Sequence, residues 1–356
     1  MKHQSLFSHA DDIIPQMVKP NLSIPELVEM MGKTSFEARN LYHACDLLSR
    51  MVRDGDTIWL GIAGAGIAGG MGGMVISLIE NGAINVICST GAQVYHDLHF
   101  AFELPVKAIH GVFEDDILRQ HGDVRIYDIG IREDETLEAQ DEIIRRFVKE
   151  DYEHLSKGPL SSWEFNYRLG LWTLENAAHP EWSFVATAAK YKVPIFWDSL
   201  ANHSIAMNLS RTDLEGYPLQ MSPQKDIFDS AAIAYGSQRT GFVLLGGGGP
   251  KNFIQQTGPT VHQILGVDYE GAERGVQIGT ALEREGSLSG CTFSEAVSWG
   301  KYKTANEKNL VQLWAEYSLV FPLIVAYTLE KSNKRNSQEI VRRLPNMSDH
   351  LRAKMK

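Results

Sequence analysis

The chain has 356 residues and a formal net charge of −10, with 44% hydrophobic and 22% charged residues. That composition is ordinary for a folded protein and excludes a disordered tail, a collagen-like fibre and a cysteine-stapled miniprotein. No basic surplus is available to neutralise phosphates, which argues against a nucleic-acid partner. An acidic balance suits a cationic substrate, but it also serves solubility alone.

Residues 1–35 carry Pro15, Pro20 and Pro25 and two short helical patterns, and read as an N-terminal helical extension. Strands and helices alternate from Phe36 onward, so one catalytic domain is expected over 36–331. Glu37 to Val52 is helical, with Leu41, Cys45, Leu48 and Met51 at helical spacing. A turn at Asp54-Gly55-Asp56 precedes a strand from Thr57 to Gly61. The next helix runs through Ile79 and closes at Asn81-Gly82. A second strand spans Ile84 to Cys88.

Further strands are predicted at Val124 to Tyr127, Val193 to Trp197, Gly241 to Leu245, Gly266 to Tyr269, Gly275 to Ile278 and Leu310 to Trp314. Helices are predicted at Glu135 to Val148, Glu164 to Glu175, Pro180 to Lys190, Lys225 to Tyr235 and Ser318 to Glu330. This alternation predicts an α/β fold, doubly wound, with a mostly parallel, Rossmann-like sheet flanked by helices. Residues 332–356 form a charged tail, expected as a solvated helix with a frayed end.

Cys45, Cys88 and Cys291 are odd in number, far apart and form no CxxC. A disulfide framework or a cysteine zinc site is therefore not expected, and a reducing compartment is. Met1 to Ser5 leads into Asp11 and Asp12 without the apolar core of a signal peptide. The longest apolar run, Leu319 to Ala326, falls far short of a membrane span. The expectation is a cytoplasmic protein without a membrane partner.

Three segments can carry chemistry. Gly64-x-Gly66-x-x-Gly69 follows a strand and precedes a helix, the context in which backbone approaches a pyrophosphate. The acid that should hold a ribose is missing, because the second strand ends in Cys88-Ser89-Thr90. Close helix–strand packing through small residues is the alternative. Gly246 to Gly249 gives four successive glycines after an apolar strand, so the backbone there must meet something closely. Two such loops in one sheet favour a nucleotide in the crevice at the strand ends.

The third segment, Glu295 to Tyr302, places Lys301 beside Trp299 and Gly300. A lysine in a water-poor wall is a nucleophile able to form an imine, and Glu295 could anchor a cationic substrate. Local chemistry alone favours the plainer reading, a surface lysine with a packed tryptophan. His96 and His99 flank Asp97 in an HxxH, but no further ligand cluster accompanies them, and no metal is expected. No GxSxG elbow is present.

The run from Glu295 to Lys301, with Ser318-Leu-Val-Phe-Pro322 downstream and the Gly246 loop upstream, resembles the deoxyhypusine synthase family from about residue 36 to residue 330. The resemblance implies a homotetramer with active sites between subunits. It implies NAD-dependent transfer of an aminobutyl group from spermidine through a lysine imine. The acceptor is a translation-factor lysine in the synthase and putrescine in homospermidine synthase relatives.

By resemblance, Lys301 is the imine-forming lysine, Trp299 the aromatic wall beside the polyamine and Glu295 the acid for a substrate ammonium. Gly64 and Gly66, Thr90 and Gly91, Gly246, Gly247 and Gly248, Thr280 and Ala281, and Glu316 are the matching cofactor-side positions. Departures are also clear. Asn252 stands where the synthase has a histidine important for dehydrogenation, and it cannot accept a proton near neutral pH. Leu288, Asn202 and Met207 stand at aspartate positions, and Tyr95 and His96 at paired glutamates.

His203, His96 and Tyr95 are the candidates to replace lost substrate contacts, with Ser204 next to His203. Each lost charge-assisted contact costs about 1.5–3 kcal/mol. The departures favour a relative acting on small polyamines, with a small-amine acceptor. The competing readings are a true protein-modifying synthase, an NAD-linked amine dehydrogenase or NAD-consuming deacylase, and a non-catalytic nucleotide- or polyamine-binding homologue.

Overall fold

The computed structural model describes residue 5, residues 7–306 and residues 308–355. Nine strands are found among them: β1 Thr57–Ile62, β2 Val86–Ser89, β3 Val106–Ala108, β4 Asp123–Ile126, β5 Ile129–Arg132, β6 Ile195–Trp197, β7 Thr240–Leu245, β8 Arg274–Gly279 and β9 Leu310–Trp314. Six of them form one sheet in the order β6-β2-β1-β7-β8-β9, and every neighbouring pair is parallel. Taken in chain sequence, the first strand lies mid-sheet with later strands added on both sides, which is the doubly wound topology.

All six residues of β1 and all six of β7 are buried. A central parallel strand is covered on both faces, so it reads as an unbroken apolar run. That is why these strands were visible in the sequence. The switch point of the winding lies between β1 and β7, and both glycine-rich loops leave the sheet there. Helices start where the chain supplies caps. Ser23 with Glu26 and Ser161 with Glu164 form reciprocal capping boxes before the helices Ile24–Gly32 and Ser162–Asn176.

Four expectations need correction. Gly266 to Tyr269 is not a strand; it is irregular chain leading to β8. Pro180 to Lys190 is not one helix: a 3₁₀ turn at Pro180–Trp182 ends where Ser183 caps a new helix, Phe184–Lys190. Val124 to Tyr127 contributes β4 to a separate antiparallel sheet, β3-β5-β4, outside the main one.

The fourth correction concerns the charged tail. The helix Ile340–Arg352 buries Ile340, Leu344, Met347 and Leu351 against the protein. Just before it, the Arg335 guanidinium is buried and donates to Gly82 O at 2.6 Å, Asp56 O at 2.9 Å and Asn85 Oδ1 at 2.9 Å. Burial pulls its pKa down to about 10. The charges of this segment lie on one face and its apolar residues on the other, which composition alone conceals. Among the described residues no helix is long and apolar enough to cross a membrane.

Candidate active site

Lys301 is positioned by a short, well-terminated helix. Thr292 caps Phe293–Ser298 by accepting from Glu295 N, so the Glu295 carboxylate sits in the first turn. Trp299 ends the helix, and Gly300 takes φ +69°. A Cβ on Gly300 would lie 2.9 Å from His262 Nε2, so only glycine fits this reversal. Tyr302, fully buried, then pins the chain through a bridge to Ala272. Lys301 is left 9% exposed while Trp299 is 62% exposed.

Lys301 Nζ donates to Asn252 Oδ1 at 3.3 Å. Both residues, with Glu295 and Trp299, line a cavity of about 760 Å³. Glu283, Leu288 and Cys291 also line it. Two carboxylates face one lysine, a balance suited to a cationic ligand with apolar carbons. Four of the expected substrate-side residues are therefore brought together.

The wall is held from behind by residues the sequence reading passed over. Lys251 is 1% exposed, and its Nζ donates to Ser289 O at 3.2 Å and Cys291 O at 2.7 Å. Gln277 Nε2 donates to the same two carbonyls at 3.1 and 3.3 Å. Burial lowers the Lys251 pKa to about 8, and Lys301 nearby adds repulsion. Burial likewise raises the Cys291 thiol. Lys251 stands beside Asn252 in the sequence, but no local pattern shows that it points the other way.

The cofactor-side residues surround the switch point. Gly246, Gly247 and Gly248 have φ of +78°, +87° and +60°, and Gly248 N donates to Ser289 Oγ at 2.9 Å. Gly248 opens the helix Gly248–Gln255. Thr280 and Ala281 follow β8, and Ala281 O accepts from Trp314 Nε1 at 3.3 Å. Gly64, Gly66 and Glu316 line a second cavity, about 640 Å³, closed by Tyr127 and Asp128 of the small sheet. The Gly64–Gly66 loop is already filled, however. Tyr317 Oη accepts from Gly66 N at 2.9 Å and donates to Ala63 O at 2.9 Å.

Thr90 and Gly91 begin the helix Gly91–Ala101, with Thr90 as its cap. His203 packs on Gly91, where a Cβ would lie 2.3 Å from its ring. His203 Nδ1 accepts from Ala206 N at 3.2 Å, capping the helix that starts at Ser204. Burial lowers its pKa to about 4, so the ring is neutral and offers only an N–H beyond the cap. Within one chain, His203 therefore acts as the cap of this helix.

His96 Nδ1 lies 3.0 Å from His99 Nε2, and Asp97 turns away to accept from Phe184 N at 3.0 Å and Val185 N at 3.2 Å. Burial lowers both imidazoles, His99 to about 3. His96, His203 and Ser204 line neither cavity within one chain.

This arrangement has counterparts among known proteins. The deoxyhypusine synthase family model matches residues 26–328. The "Deoxyhypusine synthase-like protein" of Nostoc punctiforme is 35% identical over 339 residues, covering 92% of this chain and 85% of the relative. The "Probable deoxyhypusine synthase 2" of Methanosarcina mazei is 35% identical over 333 residues, covering 93% of each. The crystal structure of an Entamoeba histolytica protein described as "a putative deoxyhypusine synthase" shares the fold, with a TM-score of 0.58 and 17% identity, over 89% of this chain and 96% of that one. The chain belongs to the deoxyhypusine synthase family, a family of aminobutyl-transferring enzymes.

Proposed function

We propose that this protein is an NAD-dependent transferase that moves an aminobutyl group from a polyamine such as spermidine to a small acceptor amine through an imine on Lys301. The observation that carries the reading is Lys301 itself: nine-tenths buried, oriented by Asn252, at the wall of a cavity that also presents Glu295 and Trp299.

We place the dinucleotide beside the second glycine turn. A Cβ on Gly248 would meet only Ala63 Cβ at 3.9 Å, so a ligand has room to lie against the head of this eight-residue helix, where the Gly248 amide itself is held by Ser289 Oγ. Glu316 on the rim of the neighbouring cavity offers a carboxylate to ribose hydroxyls. Bound NAD would accept a hydride from the donor amine carbon and return it to the product imine.

The remaining work belongs to the side chains. Glu295 attracts a substrate ammonium and the exposed Trp299 ring covers its methylenes and cationic end. Asn252 accepts from Lys301 Nζ and keeps the amine aimed into the cavity. Lys301 Nζ takes up the four-carbon unit as an imine while the diamine remainder of the donor leaves. The acceptor amine then displaces Lys301, restoring its amine. Asn252 cannot serve as a base, so proton removal falls to the cavity carboxylates Glu295 and Glu283, to solvent or to the substrate's own amines.

We extend the proposal to assembly as a homotetramer with sites between subunits. Ile227, Ile264, Leu288 and Trp299 are exposed around the open side of the cavity, an apolar ring that a second copy would cover. A second copy is also the source from which His96 and Ser204 could reach a site they do not line in their own chain.

The test is an imine trap. The protein is incubated with NAD and spermidine, reduced with borohydride and digested for mass spectrometry. An aminobutyl adduct on Lys301 is expected, absent in Lys301→Ala, with a four-chain mass by light scattering. An unmodified Lys301 in protein shown to hold NAD overturns the imine; a monomer that carries the adduct overturns the assembly.

A further inference from the structure

The Gly64-Ala65-Gly66 turn has the spacing of a phosphate loop, but its most buried glycine is taken by another group. Tyr317 Oη sits between Gly66 N and Ala63 O at 2.9 Å from each. The next amide, Ile67 N, donates to Gln93 Oε1 at 3.0 Å, and Gln93 Nε2 donates to Gly64 O at 2.7 Å. A phosphate arriving at the helical end of this turn finds the Gly66 and Ile67 amides already bonded.

The glycine requirement has the same origin. Gly66 has φ −59° and ψ −38°, a conformation open to any residue. Its backbone therefore does not demand glycine. Space does: a Cβ there would lie 2.5 Å from Tyr317 Oη, 2.8 Å from Cε2 and 3.0 Å from Cζ. Gly246, at the start of the other glycine turn, approaches the same ring, with a Cβ 3.4 Å from Tyr317 Cε1. One tyrosine thus touches both loops at the switch point, and it is the residue directly after Glu316.

We propose that the Ala63–Gly66 turn is a socket for the Tyr317 hydroxyl rather than a cradle for phosphate, and that Tyr317 is a positioning residue that fixes Glu316 on the rim of the 640 Å³ cavity. The positioning half rests on the NAD reading above; the socket half does not.

The test is a double-mutant cycle on the full-length protein. Gly66→Ala lowers the melting temperature with Tyr317 present and changes it little in Tyr317→Ala, where the socket is empty. NAD affinity is measured by titration calorimetry. Tyr317→Phe keeps the ring and removes both hydrogen bonds; it weakens NAD about five- to tenfold and leaves the KM for spermidine unchanged.

Gly66→Ala failing to fold alone while the double variant folds supports the socket. A Gly66→Ala loss of NAD affinity that is equal in both backgrounds overturns it. Tyr317→Phe that binds NAD more tightly, as expected if Gly66 N–H were freed for phosphate, overturns it as well. If the wild type binds no NAD, the functional reading fails, and the melting cycle still decides the socket.

Discussion

The cavity at Lys301 and the cavity at Glu316 are walled in different ways. The wall around Lys301 is fastened by a buried charge: Lys251 donates to Ser289 O and Cys291 O, with Gln277 beside it. The wall beside Glu316 is fastened by a neutral hydroxyl: Tyr317, seated in the first glycine turn. A charge in a dry interior costs desolvation and titrates; a phenol raised by burial stays neutral throughout the working range. The wall around Lys301 is therefore the one whose stability is expected to depend on pH.

Removing that charge has the largest expected effect. Lys251→Met leaves two carbonyls with fewer donors and costs about 2 kcal/mol at pH 7. The pH dependence carries a sign. Lys251 has a folded-state pKa of about 8 against an ordinary 10.5. Between those values the unfolded chain binds more protons, so wild-type stability rises with pH there. The advantage of wild type over Lys251→Met should widen by about 1–3 kcal/mol between pH 8 and 10.5. Denaturant melts at several pH values read it directly, with Tyr317→Phe as the control whose gap stays constant. A gap that narrows would mean that Lys251 is not a buried ammonium.

The contrast also explains what the sequence revealed. Strands β1 and β7 are legible because central parallel strands, buried along their whole length, read as apolar runs. β3 and β5 were missed because Val106-Lys107-Ala108 and Ile129–Arg132 are short and half exposed. On the substrate side, Glu295, Trp299 and Lys301 lie within seven consecutive residues, so one short run carried the chemistry. On the cofactor side, glycine spacing pointed to phosphate, while the group that fills the turn comes from 251 residues away. No local pattern records such a partner. The tail misled for the opposite reason: its charge count was plain, but its apolar face shows only once the helix is formed.

A smaller effect sharpens the substrate half. Asn252 is the described side chain that hydrogen-bonds Lys301 Nζ. Asn252→Ala removes an orienting acceptor and leaves the lysine in place. Adduct formation at Lys301 should slow about 10- to 100-fold with little change in melting temperature. A rate equal to wild type would show that the cavity wall alone aims the amine.

The smallest effect belongs to the rim of the other cavity. Glu316 is exposed, and its carboxylate accepts from Ser318 Oγ. Glu316→Gln keeps an acceptor for a ribose hydroxyl and removes the charge. NAD binding should weaken about three- to tenfold, the difference between a charge-assisted and a neutral hydrogen bond. NADP should weaken less, because the carboxylate that repels a 2′-phosphate is gone. At saturating NAD the yield of adduct on Lys301 should not change, since Glu316 and Lys301 line different cavities. A fall in that yield would join the two halves into one coupled site. An equal loss for NAD and NADP would place the ribose elsewhere and leave Glu316 as a rim charge held by its serine neighbour.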